Sequence, residues 1–384
     1  MTTIYLDNNA TTRVADEVVQ AMMPYWRDHY GNASSLHLVG QRAKHAVELA
    51  REQVADLIGA APRDIVFTSS GTEADNLAIL GTLAAFPTKR HVVTSSVEHV
   101  AVHSLCDRLA NDGYRVTRIG VDSTGRLDLD ALAASLDDDT AIVSVMYANN
   151  ETGVVFPIHD VAELAAKRNV PLHVDAVQAA GKLSLGVAEL GASLLTLSAH
   201  KLHGPKGAGA LYVRKRTRLR SQLVGGHQER DIRPGTENVA AIVGFGEAAR
   251  LAKDRLAAGG MASVAVLRDR LEGGLLERAD MAHVIGDSGC RVANTTNVAF
   301  ESLQAEAILI ALSEEGLCAS SGSACSSGSL EPSHVLKAMG IDERIAHGAI
   351  RFSLSHETTN EEIDQAVEIV TKVVRRLASL GVTA

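Results

Sequence analysis

Cysteine is scarce: four occur in 384 residues, at Cys106, Cys290, Cys318 and Cys325. No two make a Cys-x-x-Cys pair, and the gap from Cys318 to Cys325 fits no zinc-ligand spacing. No metal site is therefore expected. So few cysteines in a long chain exclude a disulfide scaffold and fit a reducing compartment. Runs of like charge are missing too. The net charge is -9 and no run of five like charges occurs, so nucleic acid is not an expected partner. The densest basic stretch, Arg214 to Arg220, follows an apolar run and reads as a solvated turn. No apolar run approaches the ~18 residues that a membrane helix needs, so no membrane partner is expected. Met1 to Ala10 has neither a charged n-region nor an apolar h-region. No signal peptide is expected, and a cytoplasmic location follows.

Hydrophobic residues make up 46% and charged residues 22%, a composition that fits a soluble globular protein. The length is too great for one ordinary core, so two domains are expected. Short apolar runs alternate with amphipathic stretches. Strands are predicted at Ile65 to Thr68, His91 to Ser95, Ala141 to Tyr147, Pro171 to Asp175 and Leu194 to Ser198. Buried-looking strands separated by helices argue for a parallel α/β sheet. Gly207 to Val213 reads as a further strand reached by a short loop. A short loop cannot make a parallel crossover, so this strand is expected to be antiparallel. Ala43, Ala46, Val47, Ala50, Val54, Leu57 and Ile58 share a helical face that Gly59 ends. Ala257-Ala258-Gly259-Gly260 reads as a hinge. The last helix is predicted to start at a capping box, Thr359 to Glu362, with Ile363, Ala366, Val367, Val370, Val374 and Leu377 inward. Ala319 to Ser329, rich in Ser and Gly, reads as exposed and flexible.

Functional groups of a parallel sheet gather at the C-terminal strand ends. After Ile65 to Thr68 comes Gly71-Thr72-Glu73, opening a helix. Exposed N–H groups and the helix dipole there favour an anion, although a plain N-cap explains the residues equally well. Glu98-His99 follows the next strand, and a lone His is more often structural. Asn149-Asn150-Glu151-Thr152-Gly153 is compatible with a simple turn. Asp175-Ala176-Val177-Gln178 places a carboxylate at the end of a buried strand. Such a group needs a partner, and a cationic ring nitrogen is one. Ser198-Ala199-His200-Lys201 puts a lysine directly after a strand, between Ser and His. That placement points to a nucleophilic lysine that links covalently to a carbonyl cofactor, against a surface ion-pair role. Lys206 competes, but its Gly-Pro-Lys-Gly turn reads as exposed.

Taken together, these motifs resemble the fold-type-I pyridoxal-phosphate enzymes and, within them, the cysteine desulfurases. The resemblance runs from Tyr5-Leu-Asp-Asn-Asn-Ala-Thr-Thr12 to the C-terminal helix. It is carried by Gly-Asn-x-Ser-Ser-Leu-His from Gly31, Glu98-His99, Ala-Asn-Asn-Glu-Thr-Gly from Ala148, Asp175-Ala-Val-Gln178 and His200-Lys201. Arg233-x-Gly-Thr-Glu-Asn238 and Ser-Ser-Gly-Ser-Ala-Cys-Ser-Ser-Gly from Ser320 complete the set. Gly-Gly-His-Gln-Glu-Arg from Gly225 and Gly-Ser-Leu-Glu-Pro-Ser-His from Gly328 look closest to the NifS branch, which serves nitrogen fixation.

The resemblance implies a large domain over residues 15–258, with a mostly parallel seven-stranded sheet. It implies a smaller α+β domain over 1–14 and 259–384, carrying a catalytic loop at about 319–329. It also implies a homodimer with pyridoxal 5'-phosphate as cofactor and L-cysteine as substrate. Lys201 would hold the cofactor covalently and move the α-proton. Asp175 would pair with the ring nitrogen, His99 would stack on the ring and Gln178 would reach its phenolic oxygen. Gly71, Thr72, Ser198 and His200 would hold the phosphate, with Thr236 of the other subunit. Asn150 and Arg351 would bind the substrate carboxylate. Cys325 would take the sulfur as a persulfide, releasing alanine, and pass it to an iron–sulfur scaffold or another acceptor. Departures from the family pattern are Ala33 for proline, Pro234 for a small residue, Ala199 for glycine and His356 for arginine. Selenocysteine lyase, another lyase or aminotransferase of this fold, and a non-catalytic sulfur-acceptor scaffold remain as alternatives.

Overall fold

The computed structural model describes residues 3–322 and 332–380. Its first strand is β1 (Ile4–Tyr5). Seven strands follow: β2 (Ile65–Thr68), β3 (His91–Ser95), β4 (Arg115–Ile119), β5 (Thr140–Met146), β6 (Leu172–Asp175), β7 (Leu194–Ser198) and β8 (Gly209–Val213). The later strands are β9 (Ala282–Ile285), β10 (Thr295–Phe300), β11 (Leu317–Cys318) and β12 (Ala349–Ser353).

The seven-stranded sheet has the order β2-β8-β7-β6-β5-β3-β4. Pairs β3–β4, β3–β5, β5–β6 and β6–β7 are parallel. Strand β8 runs antiparallel to both β7 and β2, as the short loop before it requires. Every residue of β2, β3, β5, β6 and β7 is buried. Strands covered on both faces read as unbroken apolar runs, and these five were legible for that reason. The edge strand β4 was not. Its sequence, Arg-Val-Thr-Arg-Ile, is charged and mostly half-buried, which hides the apolar signal and suits a sheet edge.

The first helical face lies on the helix Leu38–Leu57, and Gly59 past its end adopts φ +64°. The stretch 257–260 separates helices Val239–Ala257 and Gly260–Arg278, with Gly259 at φ +72°. Hydrophobic clusters cover the large sheet, one holding Ile65, Phe67, Val93 and Val143 and another holding Val66, Val92 and Ile142. A further cluster joins Ile4 and Leu6 to β10, β12 and the last helix, Asn360–Ser379. That helix starts at the expected capping box: Thr359 accepts from the Glu362 N–H, and Glu362 accepts from the Thr359 N–H. Its inward residues Ile363, Ala366, Val367, Val370, Val374 and Leu377 are all buried. The segment after β1 crosses between the Ile4 cluster and the large sheet. The Asn8 N–H donates to the Ser353 carbonyl of β12, and the Thr12 N–H donates to the His200 carbonyl beside β7.

Candidate active site

Sheet register brings the strand ends together. Met146 of β5 is level with Asp175 of β6, and Asp175 is level with Thr196 of β7. Ser198 ends β7, and a short 3-10 turn, Ala199–Lys201, follows directly. Lys201 therefore emerges at the end of the sheet where Asp175 also sits. Its Nζ donates to the carbonyls of Asn9 (2.5 Å) and Ala10 (2.7 Å) on the crossing segment. The competing Lys206 is exposed.

Asp175 is buried, and its Oδ1 accepts from the Val177 N–H at 2.9 Å. Burial pushes its carboxyl up to about 6, against the opposing pull of the Val177 N–H and the Lys201 charge. A buried carboxyl raised in this way is a ready partner for a cationic ring nitrogen. His99 caps the helix Val100–Asn111, its Nδ1 accepting from the Ala101 N–H at 3.2 Å. Burial, then the Lys201 and His334 charges, pushes it down to about 4. A neutral ring results, flat and apolar enough to lie against another ring. His200 is likewise pushed down to about 4, first by burial and then by Lys201.

Helix Gly71–Ala85 begins beside these groups. Ser70 caps it by accepting from the Glu73 N–H. A Cβ at Gly71 would lie 3.0 Å from Val177 and 3.5 Å from Ser198. The helix start thus packs directly on the ends of β6 and β7, with Thr72 beside it. Thr72 also lines an open cavity with Ser70, Asn76 and Arg233. Arg233 anchors the following loop by pairing with Glu73 at 2.7 Å. Thr236, on that loop, is exposed.

Gln178 donates from Nε2 to the Asn9 carbonyl at 2.9 Å. Arg351 of β12 is buried, its Nη2 2.6 Å from Asp7 and its Nη1 donating to the Asn150 carbonyl at 3.0 Å. Arg351 Nε has no partner among the described residues. Asn150 and Arg351 are thus adjacent, and Asp7 already occupies one face of the guanidinium. Cys325 lies outside the described residues, as does part of the stretch 319–329. Cys318 sits in β11, paired with Tyr5 of β1. Among the described residues one group of three meets metal-ligand spacing, His203 with His356 and Glu357. The Glu357 carboxylate there pairs with Arg13 at 3.3 Å.

Sequence reasoning missed Asp75 and gave Glu98 no role of its own. Asp75 and Glu98 are both buried. Glu98 Oε1 accepts from the Ser95 hydroxyl and, at 3.1 Å, from the Met146 N–H. Burial pushes Glu98 up to about 8, despite those two donors. Burial and then the Asp175 charge raise Asp75 well above its ordinary value. Spacing could not mark this pair, because Asp75 comes from the helix Gly71–Ala85 and Glu98 from the segment after β3.

Glu98 sets a testable pH dependence. Between about 4.5 and about 8 the folded chain holds a proton on Glu98 that the unfolded chain has released. Its contribution to stability is full below 4.5 and lost as pH rises through about 8. Glu98→Gln removes that titration and keeps an acceptor oxygen. The thermal midpoint of the variant relative to the unaltered protein is expected to rise steadily from pH 5 to pH 8. A difference that stays constant over that range would contradict the assignment.

The profile of the aminotransferase class-V family matches residues 4–366. A cysteine desulfurase of Nostoc sp. is 53% identical over 381 residues, covering 99% of this chain and 95% of that protein. The cysteine desulfurase NifS of Azotobacter vinelandii is 51% identical over 382 residues, with the same coverage. A solved NifS-like protein superposes with TM-score 0.92 at 38% identity, covering 98% of this chain and all of that one. The solved structure of SspA in complex with cysteine gives TM-score 0.79 at 33% identity, covering 93% and 100%. The chain belongs to the aminotransferase class-V family. Within that family it is an enzyme of the cysteine desulfurase group, of NifS type.

Proposed function

We propose that this chain binds pyridoxal 5'-phosphate and takes sulfur from L-cysteine onto Cys325, releasing L-alanine. The observation that carries the reading is the convergence of Lys201 and Asp175 at the ends of neighbouring strands. An amine that can hold a carbonyl cofactor there faces a buried carboxyl that can hold its ring nitrogen. Lys201 holds the cofactor covalently, Asp175 pairs with the ring nitrogen, His99 lies on the ring and Gln178 reaches its phenolic oxygen. Gly71, Thr72, Ser198 and His200 hold its phosphate, joined by Thr236 from a second subunit. When bound, the cofactor's conjugated ring draws electron density from the substrate Cα.

The chain's own groups do the rest. Arg351 and Asn150 bind the substrate carboxylate, and Arg351 suits a planar fork. The substrate amine displaces Lys201 from the cofactor, and the freed Lys201 amine takes the proton from Cα. The Cys325 thiolate attacks the substrate sulfur, so an S–S bond forms as the Cβ–S bond breaks. The Cβ carbon keeps the electron pair and takes a proton, and the proton held by Lys201 returns to Cα, giving alanine. The persulfide on Cys325 then serves an acceptor for iron–sulfur cluster assembly, of the nitrogenase-maturation kind. We assign residues 15–258 to the cofactor domain and residues 1–14 and 259–384 to the domain carrying Cys325, in a cytoplasmic homodimer. No helix among the described residues is long and apolar enough to cross a membrane.

Purified protein with cysteine and a thiol reductant to release the persulfide sulfur is expected to form alanine and sulfide in step, and borohydride should fix the cofactor to Lys201. Label on Lys206, or turnover of selenocysteine alone, would overturn the reading. The dimer has its own test. Mixing Lys201→Ala chains with Thr236→Ala chains should restore some activity, because some dimers then hold one site with both residues intact. Absence of recovery after demonstrated subunit exchange would remove Thr236 from the neighbour's site.

A further inference from the structure

Lys182 has no part in the chemistry above, yet it bonds Gln178, which does, and Asn9, which also holds Lys201. It lies four residues after Gln178, in the turn segment that follows β6. Its Nζ is 2.6 Å from Gln178 Oε1 and 3.0 Å from Asn9 Oδ1. Nζ donates in both contacts, so both amides turn their oxygens toward it. Gln178 then points Nε2 the other way, where one N–H meets the Asn9 carbonyl at 2.9 Å.

Asn9 is held just as firmly. Its Oδ1 also accepts from Asn294 Nδ2 at 3.0 Å. Its Nδ2 donates to Thr295 Oγ1 at 2.9 Å and to the Asn150 carbonyl at 3.2 Å. The Asn9 carbonyl that receives Gln178 also receives Lys201 Nζ. Two lysines therefore grip one asparagine, Lys182 at the side chain and Lys201 at the backbone. Both line one cavity, with Asn8, Thr12, His203 and Asn294. The groups facing Lys182 are cationic or neutral. Burial, then the Lys201 and Arg351 charges, holds its amine well below the ordinary lysine range. A surface ion-pair lysine would show none of this.

We propose that Lys182 is a positioning residue: it locks the Gln178 amide with its N–H end toward the cofactor and fixes Asn9 against Lys201. Gln178 alone does not choose that orientation, because an amide can turn over when no donor faces its oxygen. The inference rests on the proposed function and deepens it.

The visible absorbance of the Lys201-bound cofactor, followed against pH, tests this on the full chain. Lys182→Met removes the donor and the neighbouring charge. Both losses make a protonated, positively charged site less costly. The spectral transition is expected to move up by about one pH unit. Lys182→Gln is neutral but can still donate to Gln178 Oε1, so its shift should be less than half as large. In a Gln178→Ala background, Lys182→Met should move the transition little, since residues acting through one another are not additive. Lys182→Leu replaces Lys182→Met if that chain does not fold. No shift in a folded, cofactor-bearing Lys182→Met chain overturns the inference. Equal shifts in the Met and Gln variants do so too, because charge alone would then explain them. An unaltered chain with no visible absorbance after pyridoxal phosphate overturns the proposed function and this inference together. A normal unaltered spectrum with unmoved variants overturns this inference alone.

Discussion

Replacing Cys325 with alanine is expected to lower alanine formation from cysteine by at least about a thousandfold, the order of loss when a covalent nucleophile is removed. Binding should survive the change. Lys201, Asp175 and His99 come from the large sheet and its helices, and their described contacts are with Asn9, Ala10, Val177 and Ala101. The visible spectrum of the bound cofactor should therefore match that of the unaltered chain, and cysteine should still perturb it. The other thiols are poor substitutes. Cys106 is wholly buried, and burial pushes its thiol up to about 12, so almost no thiolate exists near neutral pH. Cys318 is fixed in β11 between Leu317 and the β1 pairing. Cys290 is exposed, with its Sγ 3.7 Å from the Val155 carbonyl. Steady-state assays for alanine and sulfide check the outcome. Turnover near the unaltered rate would move the nucleophile elsewhere.

Asp175→Ala is the second large effect expected. A carboxylate facing the ring nitrogen keeps that nitrogen charged, which is what makes the ring an electron sink. Burial holds the Asp175 carboxyl up to about 6 even though the Val177 N–H and the Lys201 charge oppose that rise. A second cation in contact would favour the ionised form further. Removing one preorganised charge of this kind costs on the order of 10²–10³ in kcat. Substrate affinity should change less, because Arg351 and Asn150 belong to other elements. Asp175→Asn keeps the shape and the Val177 contact but not the charge, and it should lose nearly as much as alanine. Unchanged kcat in a folded Asp175→Asn chain would remove the proposed pairing.

Strands β2, β3, β5, β6 and β7 were legible because burial on both faces leaves continuous apolar runs, and Gly59 and Thr359 marked helix ends by their own chemistry. Lys201 and Asp175 stood out as charged residues at the ends of such runs. The charged edge strand β4 was hidden by Arg115 and Arg118. Lys182, Asp75 and the amide of Asn9 were hidden for another reason. Their importance lies in contacts across long sequence separations, such as Lys182 to Asn9 and Asp7 to Arg351, and no local pattern encodes those. Motif resemblance supplied Gln178, Thr236 and Cys325, which spacing alone did not single out.

The central claim is that sulfur from cysteine comes to rest on Cys325. Brief incubation of the cofactor-bearing protein with cysteine, alkylation and peptide mass spectrometry measures this directly. One extra sulfur on the peptide containing Cys325, absent when Lys201→Ala is treated in the same way, is the expected result. Extra sulfur mainly on Cys318, Cys290 or Cys106, or none on any cysteine while alanine still forms, would contradict the account.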